Sequence, residues 1–91
     1  MRVFKYVLDL EELAINGVDY ADIEMPNHAE IRFIGEQNRN ICIWAEVNPD
    51  NPKVLRRFFV VGTGHQVPTE ARYYRGTVLM PPFVWHIYET R

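Results

Sequence analysis

The residues with the most chemistry to offer lie in one short stretch, Val60-Val61-Gly62-Thr63-Gly64-His65. A strand that ends in Gly-Thr-Gly can turn sharply and gather consecutive backbone N–H groups into a concavity that suits an anion. Thr63 adds a hydroxyl donor, and His65 an imidazole that donates or accepts near neutral pH. Arg56 and Arg57 lie on the strand leading in, and Arg72 and Arg75 follow the loop. Guanidinium forks match phosphate and carboxylate oxygens in bidentate fashion. Arg56, Arg57, Thr63, Gly64, His65, Arg72 and Arg75 therefore form the candidate binding site, for an anionic small molecule or a nucleotide-like ligand. The competing reading is a tight turn whose glycines accommodate positive φ, beside arginines that solvate the outer face of a sheet.

A hydrolytic reading is weaker. His65 or His86 would act as general base, with Thr63 or Cys42 as nucleophile, but such a base needs a second group to orient it. No Asp or Glu is placed by spacing to orient either histidine. Two scattered histidines do not make a zinc site, and neither a metal nor a cofactor is called for. His86 sits amid Trp85, Ile87 and Tyr88, as a core or edge histidine does, and His28 falls in a surface turn. Glu46 reads as a cross-strand partner for an arginine. Trp44, Trp85 and Tyr88 are either interface anchors or core, and Tyr73, Tyr74 and Tyr88 have the ring faces that stack on nucleobases.

These side chains must be positioned by short β-strands. Phe4, Tyr6 and Leu8 alternate with Lys5, Val7 and Asp9, the pattern of a half-buried strand. Asp9 with Glu12 resembles a capping box for one helical turn, and Asn16-Gly17 either ends that turn or closes a hairpin. Ala21 to Met25 reads as a strand stopped by Pro26, with a turn over Pro26-Asn27-His28. Ala29 to Gly35 and Ile41 to Val47 pair across the polar turn Gln37-Asn38-Arg39-Asn40, with Ile31, Phe33, Ile41, Ile43 and Val47 on one apolar face. Asn48-Pro49-Asp50-Asn51-Pro52 is loop. Val54 to Val61 is a long strand, and Tyr73 to Met80 and Phe83 to Glu89 are two more, separated by Pro81-Pro82. In the last, Phe83, Trp85 and Ile87 face opposite to Val84, His86 and Tyr88. The fold class is all-β, a compact antiparallel sandwich or small barrel of six to seven strands with at most one short helical turn.

The chain has 91 residues, 47% of them hydrophobic and 13% aromatic. That is one domain, residues 1–91, with apolar mass enough for a core rather than a disordered chain. Ten Lys+Arg against twelve Asp+Glu give a net charge of −2, which disfavours nucleic acid as a partner. The longest apolar run in the strands, Phe58 to Val61, is far short of the ~20 residues of a membrane span. With one cysteine, Cys42, and no signal-like apolar stretch at the start, a soluble cytoplasmic protein without membrane attachment is expected.

The landmarks Ile23-Glu24-Met25-Pro26, Ala29, Gln37, Trp44-Ala45, Pro49, Arg57-Phe58, Gly62-Thr63-Gly64-His65, Pro68, Gly76-Thr77 and Phe83-Val84-Trp85-His86-Ile87-Tyr88-Glu89 are ordered along nearly the whole chain. This series resembles a family of small phage and prophage proteins grouped as a domain of unknown function. The resemblance implies a phage-type origin, a compact single domain and, if phage-encoded, the host cytoplasm; it supplies no activity. The expected function is a non-catalytic binding module, sequestering an anionic or nucleotide-like ligand in evasion of host defence. The alternative is a protein-interaction module, through self-association or inhibition of a host protein, and a small hydrolase using His65 ranks below both.

Overall fold

The computed structural model describes residues 1–90. In chain order it contains β1 (Arg2–Leu8), α1 (Leu10–Asn16), β2 (Tyr20–Pro26), β3 (Glu30–Gln37), β4 (Asn40–Val47), β5 (Lys53–Gly62), β6 (Tyr73–Met80) and β7 (Phe83–Glu89). Every strand pair is antiparallel. The order is β1-β4-β3 in a first sheet and β2-β5-β7-β6 in a second. The sheets pack as a compact sandwich, within the expected class.

Local chemistry sets most element ends. The Asp9 carboxylate accepts the Glu12 N–H at 3.1 Å, capping α1, and Gly17 at φ 67 ends it in the left-handed region. α1 is seven residues long, about two turns rather than one, and it buries Leu13 against the core at one end of the sandwich. Between β3 and β4, Asn38 and Arg39 both take positive φ (52° and 65°) and join the paired Gln37 and Asn40. Two positive-φ residues match the right-handed strand twist of a tight hairpin. Strand alternation then sorts side chains. Ile41, Ile43, Ala45 and Val47 of β4 meet Phe58 and Val60 of β5, Val78 of β6 and Ile87 of β7 in one core.

Phe33 departs from the expected apolar face. The β3–β4 register shifts between Ile31 and Phe33, so Ile31 opposes Ala45 whereas Phe33 opposes Trp44. That bulge puts Ile34 in the core and leaves Phe33 62% exposed on the outer face, against the Trp44 ring. A one-residue slip exchanges the faces of a strand.

The loop between β5 and β6 folds back over the outer face of the second sheet. There Ala71 is buried against Phe59 and Val61, flanked by Tyr20 and Tyr88.

Candidate functional site

The structure does not gather the seven candidate binding residues, and strand alternation is the reason. Arg56 and Arg57 are neighbours on β5 and so point to opposite faces. Arg56 turns inward, 8% exposed at its side chain, and forks onto the buried Glu89 carboxylate (Nε to Oε2, and Nη2 to Oε1 at 2.8 Å). Its remaining nitrogen donates to the Ala29 carbonyl at 2.6 Å. Arg75 reaches the same Glu89 through Nε at 2.8 Å. Two guanidinium groups thus flank one carboxylate from β7, inside the fold.

Arg57 lies on the outer face. It donates to both Asp22 oxygens at 2.7 and 2.9 Å and stacks over the Tyr20 ring, 3.9 Å from its centroid. These hydrogen bonds hold the Asp22 carboxyl below the ordinary carboxylate range, opposed by partial burial and helped by the charge of Arg57. A depressed folded value stabilises above the unfolded pKa, and the contribution disappears as pH falls through the folded value. The melting temperature of the native chain is therefore expected to drop more steeply than that of Asp22→Asn between about pH 5 and pH 2. Parallel thermal-melt profiles would refute that coupling.

The Gly-Thr-Gly corner is a turn. Thr63 N–H donates to Val84 O at 3.3 Å and His65 N–H to Gly62 O at 3.0 Å, with Gly64 at φ 88. Two of the amides expected to face an anion are thus engaged. The Thr63 side chain belongs instead to a polar chain across the outer face. Its Oγ1 lies 2.8 Å from His86 Nε2, His86 Nδ1 lies 3.0 Å from Thr77 Oγ1, and Thr77 also bonds the Tyr74 hydroxyl. The chain joins β5, β7 and β6 through residues far apart in sequence. His86 is flanked by two hydroxyls and hydrogen-bonds no carboxylate among the described residues, so it lacks the orienting group that a base–nucleophile couple needs. Among the described residues, His65 makes no side-chain hydrogen bond, and no three His, Cys, Asp or Glu side chains form a group able to hold a metal ion.

A larger concave surface lies elsewhere, at the end of the sandwich where α1, the β3–β4 hairpin and the β6–β7 turn converge. A cleft of about 700 Å³ there is lined by Leu10, Leu79, Met80, Phe83 and Trp85, with Glu11, Glu36 and Arg39 at its rim. Two smaller clefts of about 310 Å³ adjoin the same indole. One lies along Gly62, Thr63, His65 and Phe83, the other along Leu13, Val18 and His65. Trp85 is common to all three. Its ring stacks on Phe83, centroids 5.3 Å apart and planes 23° apart, and Phe83 is itself 55% exposed. The Trp85 Nε1–H is buried without a hydrogen-bond partner among the described residues. An unpaired buried donor costs roughly 1–3 kcal/mol.

Sequence reasoning singled out Thr63 and His65, which line one of the adjoining clefts, for a different corner, and did not find Leu10, Leu79 or Phe83. The one available signal was the stretch Pro81-Pro82-Phe83, where a large ring follows a turn and cannot all be core.

Fold and site together define a seven-stranded antiparallel β-sandwich with one capping helix and an open, aromatic-lined end. Within that class, the chain belongs to the family described as Domain of unknown function (DUF7352), whose match covers residues 1–91. Searches of curated proteins and of solved structures each return no match. Among the described residues, no helix is long and apolar enough to cross a membrane.

Proposed function

We propose that this protein works by binding rather than by turnover, and that recognition occurs at the open end around Trp85. The observation that carries this is the convergence of three clefts on one indole, whose buried N–H has no acceptor among the described residues. Such a site takes an apolar or aromatic group that carries a hydrogen-bond acceptor. Apolar walls supply most of the affinity, and a few placed polar groups fix orientation.

An anionic or nucleotide-like ligand has less support than the sequence suggested. Arg56 and Arg75 are engaged by Glu89 and Arg57 by Asp22, while at the rim of the main cleft Glu11 and Glu36 outnumber Arg39. If the gene is phage-borne, as the resemblance implies, the occupant is a host component and its capture a means of evading defence. A protein partner would meet Leu79 and Phe83, 69% and 55% exposed, as its anchor points.

Only two tryptophans are present, so Trp44→Phe leaves Trp85 as the sole indole reporter. On titration with carbonyl-bearing aromatic fragments, the Trp85 Nε1–H resonance is expected to shift. Nucleotides are expected to leave it in place. An indole indifferent to every fragment would refute the reading, and nucleotide-induced shifts confined to the Thr63–His65 amides would return the site to the Gly-Thr-Gly corner.

A further inference from the structure

The sandwich closes on one flank and stays open on the other. β3 and β6, edge strands of the two sheets, pack against each other. On the far flank, β1 pairs only with β4 and β2 only with β5, so each leaves one row of backbone N–H and C=O groups outside its ladder. Unpaired edges of this length invite another strand unless something covers them.

We propose that the partner of this flank is a second copy of the chain, with β1 of each copy adding to β2 of the other. The strand directions permit it. The tight turn from Pro26 to Ala29 reverses the chain between β2 and β3. Because β3 and β1 are both antiparallel to β4, β1 and β2 run in opposite senses. A twofold axis along the strands exchanges the two sheets, so β1 lies antiparallel to the partner's β2 twice over. The contact is isologous and closes.

Side chains select this arrangement. The outer face of β1 presents exposed Lys5 between Val3 and Val7, and that of β2 presents exposed Asp22 and Glu24. With Lys5 opposite Asp22, Val7 falls opposite Tyr20 on the outer face, and Phe4 and Tyr6 fall opposite Ile23 and Ala21 on the inner face. Lys5, whose Nζ also donates to Gln37 Oε1 at 2.8 Å, meets Asp22 beside its Arg57 partner, Glu24 falls opposite Val3, and half-buried apolar residues extend the core across the seam. The other twofold, with its axis across the strands, would set Lys5 beside its own copy and the acidic β2 edges beside each other. Like charges directly opposed destabilise a sheet. Lys5 thus guards the edge against indiscriminate pairing and admits an acidic strand.

Sedimentation velocity from 10 µM to 1 mM, with hydrogen exchange on the same samples, tests this. The expected result is a dimer whose β1 and β2 amides gain protection as concentration rises, while those of β3 do not. Lys5→Glu is expected to weaken dimerisation at least about ten-fold, and Lys5→Glu with Asp22→Lys to restore it. Circular dichroism checks that each variant keeps its fold. A monomer throughout the range, a dimer insensitive to Lys5→Glu, or a double variant that stays monomeric would each overturn the proposal. None of these outcomes bears on the Trp85 end.

Discussion

Glu89→Gln is expected to destabilise the protein by about 3–5 kcal/mol, the effect of stripping one partner from a buried ion pair. Glu89 is 0% exposed and accepts from Arg56 and Arg75. The amide preserves shape and one acceptor, yet leaves the Arg56 guanidinium in the interior without the charge that compensated its desolvation. Against a total of roughly 5–15 kcal/mol for a typical domain, that is a large share. For a chain of this size the melting temperature should fall by about 15–30 °C. Replacing both buried partners, as in Arg56→Met with Glu89→Leu, should cost less than Glu89→Gln alone, because no charge is stranded and Arg75, 30% exposed at its side chain, can turn to water. Urea denaturation of the three proteins measures both differences. A melting temperature for Glu89→Gln close to that of the native chain would mean that the triad does not contribute as argued.

Phe58→Ala is expected to be comparably severe, about 3–5 kcal/mol. The ring is 0% exposed and lies on β5, a central strand that pairs with both β2 and β7. Its removal opens a cavity at the centre of the apolar cluster, where neighbours from both sheets cannot all collapse into it. Phe33→Ala provides the internal contrast. That ring is exposed beyond the β3 bulge and touches chiefly Trp44 and Gly35, so its loss should cost under about 1.5 kcal/mol. Equal costs for the two would contradict the placement of the bulge.

Much of the fold was legible because its signals are local. Asp9 caps the helix through the Glu12 N–H three residues on, Gly17 ends it, and the Gln37–Asn40 stretch turns a hairpin. The bounds of β6 and β7 follow from the turn at Pro81-Pro82, and the alternation along β7 set Trp85 and Ile87 on the face opposite His86, the face that the structure turns to the core. Phe33 was misplaced because a bulge is a property of two strands in register, and no feature of β3 alone announces where the ladder will slip.

The candidate site was legible only in fragments. Thr63 and His65 were singled out for a Gly-framed corner, but which amides remain free depends on whether Val84 accepts from Thr63, and that is settled by the pairing of β5 with β7. Arg56 and Glu89 are 33 residues apart, and Thr63, His86 and Thr77 come from three strands. Composition, turn residues and the period-two alternation by themselves determined an all-β sandwich or small barrel and the approximate ends of its strands, since each depends on a few adjacent residues. The tertiary structure alone decided which charges neutralise one another, which hydroxyls reach His86, and that three clefts meet at Trp85. These depend on strand order and register, where a shift of one residue sends every side chain to the opposite face.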